Sequence, residues 1–118
     1  MSDLVQILKK LNSLIIKKSK EKDKVKSRVL MFNIRNTEKE LERELRALFT
    51  AVSSDPERIY SILETWLSAM AESDEGLHPK TVLAVASIFR KVVTEYVQIY
   101  YKTKFRQLLD LAIRTYGD

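Results

Sequence analysis

Glycine and proline are scarce in this chain, and their scarcity is the strongest constraint on its fold. The 118 residues include two glycines and two prolines. Sandwiches and barrels need a turn signal about every 8–12 residues, more than four such residues can provide. Hydrophobic residues make up 45% of the chain, enough for a packed core. The sequence therefore predicts an all-α fold in a single domain, residues 1–118, as a small bundle of four main helices with a long C-terminal helix.

Apolar periodicity and capping residues set the predicted helix bounds. Leucine and isoleucine recur at helical spacing in the first segment, and Asp55-Pro56 forms a typical helix start. An alternative break in the second helix falls near Asn33–Thr37. The last helix would be about 50 Å long at ~1.5 Å per residue, so it must kink or project. The predicted helices run from about Asp3 to Lys18, Lys24 to Val52, Pro56 to Ala71 and Lys80 to Thr115.

Charge is segregated along the chain. Residues 1–36 contain ten basic and three acidic residues, residues 37–78 contain four and ten, and residues 79–118 contain seven and three. The net charges of the three segments are +7, −6 and +4, which agrees with the overall +5. Such a distribution predicts either a polyanionic partner or association with another protein or a second copy.

Two basic clusters are the candidate binding sites. The first, within a predicted exposed linker or frayed junction at residues 17–28, carries seven cations and two carboxylates. The second follows a tyrosine-rich stretch near the C-terminus. Cations neutralise phosphates and aromatic side chains stack on unpaired bases, so both clusters predict contact with the nucleic-acid backbone. The predicted nucleic-acid-binding residues are Lys17, Lys18, Lys20, Lys22, Lys24, Lys26, Arg28, Lys102, Lys104 and Arg106, with Tyr96, Tyr100, Tyr101 and Phe105 interleaved in the second cluster.

The sequence offers little to catalysis. It has no cysteine and one histidine, His78, which we interpret as a cap or loop residue. Its two glycines cannot form a phosphate-cradling loop. Glu72, Asp74 and Glu75 belong to an acidic loop, residues 72–78, without EF-hand spacing. We interpret the alternating Glu38–Glu44 as part of a charged solvent face. We therefore expect no enzyme activity, no cofactor and no metal.

The favoured hypothesis is a non-enzymatic, cytoplasmic protein that binds nucleic acid through phosphate contacts within a larger nucleoprotein assembly. In size, helical class and basic character it resembles the small all-helical subunits of nucleoprotein machines, such as those of CRISPR effector complexes, although no motif carries the comparison to individual residues. The alternative is a protein–protein interaction module, a homo-oligomer or a subunit of a hetero-complex. Membrane-surface association through the first helix and its lysines is a third hypothesis, and we expect no membrane partner.

Overall fold

The computed structural model describes the backbone of residues 2–51, 56–72, 75–96 and 99–117. Within these ranges, side chains are described except at residues 2, 3, 50, 51, 56, 59, 62, 93, 96 and 99–105. The described chain forms five helices and no strand, which confirms the all-α class. The helices are α1 (Ser2–Lys20), α2 (Lys24–Ala51), α3 (Pro56–Ala71), α4 (Pro79–Tyr96) and α5 (Ile99–Tyr116).

α1 and α2 form an antiparallel hairpin that makes the most extensive helix pair of the molecule. The apolar stripe of α1 packs inward and consists of Leu4, Leu8, Leu11 and Ile15. It is buried together with Ile34, Leu41, Leu45 and Phe49 of α2. α2 runs unbroken through residues 33–37, so the alternative break there is wrong. Its 28 residues span about 42 Å, close to the 45 Å long dimension of the molecule.

Two helices, α4 and α5, occupy the region where one long C-terminal helix was predicted. The predicted count of four main helices is therefore not confirmed. A straight helix over residues 79–116 would be about 57 Å long and would exceed the 45 Å dimension of the molecule. Instead, α5 packs on both α4 and α3, and the Tyr60 hydroxyl donates a 2.8 Å hydrogen bond to the Leu108 carbonyl. Residues 97 and 98 between the two helices lie outside the described residues.

The apolar spacing of the last helix predicts that Leu108, Leu111 and Ala112 face the core. Ala112 is buried and Leu108 is half-buried, but Leu111 is 51% exposed and Leu109 is buried instead. The prediction continued the apolar spacing of α4 through residue 115. That spacing places the later residues on the same side only if the helix is continuous. The end of α5 agrees with the prediction, because the helix stops at Tyr116 and the Gly117 N–H donates to the Ile113 carbonyl.

Candidate functional site

The first basic cluster lies at the tip of the α1–α2 hairpin. Only residues 21–23 are non-helical there, so the predicted linker at residues 17–28 is mostly two helix ends joined by a short turn. The Asp23 carboxylate caps α2 by accepting hydrogen bonds from the N–H groups of Val25 (2.8 Å) and Lys26 (3.1 Å). The Glu21 carboxylate accepts one from the Asp23 N–H at 3.1 Å. Both acidic residues of the cluster therefore shape its turn.

The cations of this cluster point into solvent. Lys18 is half-buried, while the other six are exposed. Among the described residues, no carboxylate forms a salt bridge with any of the seven. Their charge is therefore available to an external anion. We call these residues the hairpin-tip cluster: Lys17, Lys18, Lys20, Lys22, Lys24, Lys26 and Arg28.

Apolar side chains lie exposed beside these cations. Val25, Val29 and Phe32 are 68%, 55% and 64% exposed, and their spacing of four and three residues places them on one side of α2. Val25 and Val29 also line a shallow, mainly apolar groove with Lys17, Lys20, Glu21, Lys26 and Leu30. This exposed strip was not predicted from the sequence. Its signal in the sequence was the helical position of Phe32, which lies on the side of α2 opposite to Ile34, Leu41 and Leu45.

The glutamates of α2 do not share the solvent face that was predicted for them. Glu42 lies on the side toward α4, where its carboxylate contacts Lys91 at 2.8 Å and Arg46 at 2.7 Å. The hydrogen bond from Lys91, together with Arg46, lowers the pKa of Glu42 below its ordinary value. Glu40 lies on the opposite flank, 3.7 Å from Lys10 of α1. The carboxylates of Glu42 and Glu40 thus face neighbouring helices.

Glu38 lies on the α4 side of α2 and lines a cavity of about 240 Å³ together with Lys18 and Lys80. Burial raises the pKa of Glu38, and the positive charge of Arg35 acts in the opposite direction. The cavity also contacts the apolar side chains of Ile15, Met31 and Ile34. Because Lys18 turns toward this cavity, it is the cation of the hairpin-tip cluster that is least directed at solvent.

The second predicted cluster is described only in part. Arg106 is exposed on α5, whereas the side chains of Lys102 and Lys104 and the four interleaved aromatic residues lie outside the described residues. α5 packs mainly on α3 and α4, and the hairpin-tip cluster belongs to α1 and α2. Through the described residues, the fold therefore does not join the two clusters into one surface.

His78 has a structural position, as the sequence indicated. Its Nδ1 accepts a hydrogen bond from the Lys80 N–H at 3.1 Å, and its backbone N–H donates to the Asn12 side chain at 3.1 Å. In the acidic loop, Glu75 accepts a hydrogen bond from the Ser13 hydroxyl, and Asp74 lies outside the described residues. Within the described ranges, no three acidic or histidine side chains are grouped to hold a metal ion.

Comparison with protein families, curated proteins and solved structures finds no match to this chain. Among the described residues, none of the helices combines the length and the apolar character needed to cross a bilayer.

Proposed function

We propose that this protein is a non-enzymatic nucleic-acid-binding protein that contacts the phosphate backbone and works within a larger assembly. The observation that carries the proposal is the hairpin-tip cluster. It presents six exposed cations that no described carboxylate pairs. Cations that are already solvated and unpaired can neutralise phosphates without first breaking an ion pair, and the released counterions favour binding.

The fold also presents these cations in a fixed arrangement. The turn at residues 21–23 is held by the Asp23 cap, and both flanking segments are helical. The cluster reaches phosphates through flexible lysine side chains, so it supplies affinity and positioning while carrying little base information. We therefore expect weak dependence on nucleotide sequence.

The test compares two variants that lose the same number of positive charges. K20Q/K22Q/K26Q removes charge from the hairpin tip, and K9Q/R90Q/R114Q removes it from exposed positions on α1, α4 and α5. Fluorescence anisotropy with labelled oligothymidylate and a DNA duplex, at rising salt, measures affinity. We expect the wild type to lose affinity steadily with salt, and the tip variant to bind at least about tenfold more weakly than the charge-matched control.

Two results would contradict the proposal. One is an undetectable affinity of the wild type at low salt. The other is an equal loss in both variants, which would mean that only net charge matters. Circular dichroism and urea unfolding of each variant show whether it remains folded.

A protein–protein interaction module is the second candidate, and the exposed Val25, Val29 and Phe32 favour it. Large apolar side chains grouped on a surface often mark contacts with other proteins. The hypothesis of a homo-oligomer or hetero-complex is tested by sedimentation of the wild type and of V29S/F32S. A dimer that dissociates in the variant would support it, and a wild-type monomer that captures no partner protein would contradict it.

A further inference from the structure

A continuous cationic surface extends along the outer side of α2, well beyond the hairpin tip. Its exposed side chains include three further cations, Arg35, Lys39 and Arg43. With the N-terminal cations of the same helix, they make six exposed cations on α2. The four glutamates between residues 38 and 44 are half-buried.

The helical phase explains this separation. At about 100° per residue, the exposed residues between Val25 and Arg43 that face outward fall within a sector of about 120°. Glu38 and Glu42 lie on the α4 flank, and Glu40 lies on the α1 flank, where Lys10 is 3.7 Å away. We call the outward-facing residues the α2 track: Val25, Arg28, Val29, Phe32, Arg35, Asn36, Lys39 and Arg43.

The sequence did not indicate the part of this surface beyond residue 36, because residues 37–78 carry a net charge of −6. Three carboxylates of α2, those of Glu38, Glu40 and Glu42, lie on the flanks toward neighbouring helices, and Lys10 and Lys91 partly neutralise Glu40 and Glu42. The outward charge of the second half of α2 is therefore positive although its total charge is not. An external polyanion that approaches the outer side of α2 meets the exposed Arg35, Lys39 and Arg43. The half-buried Glu40 and Glu44 line a groove beside Lys39 and Arg43.

Phe32 lies near the middle of the α2 track. It is 64% exposed, and Arg28 and Arg35 lie four residues before it and three after it on the same side. A duplex presents phosphates and sugars outward and keeps its bases stacked inside. A single strand presents bases as well, and an exposed phenylalanine between two arginines offers a face on which one base can stack.

We infer that the α2 track binds a single strand of nucleic acid, with its cations following the phosphates and Phe32 stacking on a base. This inference rests on the proposed function and adds a substrate class and residues outside both predicted clusters. From Val25 to Arg43 the track is about 27 Å long. At about 3.4 Å per nucleotide along one strand, that length corresponds to about eight nucleotides.

Charge and shape together favour nucleic acid as the occupant of the α2 track. A second copy that apposed the same surface would bring two sets of cations together, and that repulsion disfavours a symmetric dimer through the track. An anionic membrane would also complement the charge of the track, and a vesicle-binding measurement distinguishes it from nucleic acid. The exposed aromatic residue between cations favours the nucleic acid.

The first experiment tests the extent of the track. R35Q/K39Q/R43Q and the control K9Q/R90Q/R114Q are each titrated with oligothymidylates of increasing length at several salt concentrations. We expect affinity of the wild type to rise with length up to about eight nucleotides, and the track variant to lower the salt slope by about 2 relative to the control. A track variant that binds long oligothymidylate as the control does would overturn the inference.

The second experiment tests stacking. We expect F32L to bind oligothymidylate about tenfold more weakly than the wild type and F32W to retain affinity, because leucine keeps the apolar volume and loses the aromatic face. Affinity for duplex DNA should change little in either variant. Equal binding of F32L and wild type, or preference of the wild type for duplex, would overturn the single-strand assignment.

Different results would contradict the proposed function and the inference about the α2 track. If the wild type binds no oligonucleotide but binds vesicles of phosphatidylserine and phosphatidylcholine, both the proposed function and the track inference are wrong. If the wild type binds and the tip variant K20Q/K22Q/K26Q is impaired, while the track and Phe32 variants behave as wild type, only the inference fails.

Discussion

Asn12 is a fully buried amide in the apolar stripe of α1, and three hydrogen bonds explain its place there. Its Nδ2 donates to the Gly76 carbonyl at 2.9 Å. Its Oδ1 accepts from the His78 N–H at 3.1 Å and from the Thr81 hydroxyl at 2.9 Å. Gly76 has a positive φ of 76°, a conformation that glycine adopts without steric cost. Asn12 thus fixes the loop before α4 to the first helix.

The first prediction concerns this amide. N12A leaves buried polar groups of the loop and of Thr81 without their partner, and each such loss costs about 1–3 kcal/mol. We expect the free energy of unfolding to fall by about 2–4 kcal/mol in urea titrations. The control is N36A, which truncates an exposed asparagine of α2 and should change stability by less than about 0.5 kcal/mol. Equal stability of the two variants would contradict a structural role for Asn12.

Tyr60 gives a prediction about alkaline pH. Burial, aided by the nearby negative charge of Glu64, raises the pKa of Tyr60 to about 12. The unfolded chain releases this proton near pH 10, so the contribution of the neutral phenol is complete below about pH 10 and is lost as the pH rises toward about 12. We expect the stability advantage of wild type over Y60F to shrink across this window in urea titrations. An advantage that stays constant across it would show that the phenol ionises as readily in the folded protein as in the unfolded chain.

At the scale of the helix, local sequence signals predicted where helices start and stop, but they did not predict whether a long helical segment stays unbroken. α2 begins at Lys24 and α3 at Pro56, as predicted. The start of α3 was indicated by Asp55-Pro56, because a cap and a proline act through neighbouring backbone groups. The Asp55 cap itself lies outside the described residues. The single helix predicted for residues 80–115 had no proline or glycine to interrupt it. What brings α5 back onto α3 is tertiary packing, including the Tyr60–Leu108 hydrogen bond, which periodicity cannot reveal.

The third prediction concerns the start of α2. D23A removes the acceptor for the Val25 and Lys26 N–H groups and should lower the free energy of unfolding by about 1 kcal/mol. D23N keeps a capping oxygen and should retain most of that stability. Both variants remove one negative charge from the hairpin tip, so both should bind oligothymidylate at least as tightly as the wild type. Urea unfolding and anisotropy measure the two effects separately, and weaker binding in D23N would contradict the electrostatic argument.

For the molecule as a whole, the sequence revealed where charge lies along the chain, and the fold determines which charge faces outward. The hairpin-tip cluster was predictable because its seven cations lie within twelve residues of the chain and the two acidic residues between them are too few to cancel them. The α2 track was not predictable, because cations and glutamates alternate along the sequence between residues 38 and 44. They separate in space only when the flanks of α2 pack on α1 and α4. Phe32 was missed because it ends a run of four apolar residues, 29–32, and such a run is typical of a buried core segment.

The last prediction follows from the helical structure that the hairpin tip already has before any ligand binds. The lysine-rich segment was predicted as a linker, and a disordered linker that binds a polyanion commonly folds as it does so. Here residues 17–20 and 24–28 are already helical. We therefore expect far-ultraviolet circular dichroism to show no gain in helix when saturating oligothymidylate is added, after subtraction of the oligonucleotide signal. A clear gain would mean that the hairpin tip is unfolded in the free protein. Phosphate contact would then carry an ordering cost, and D23A should weaken binding instead of preserving it.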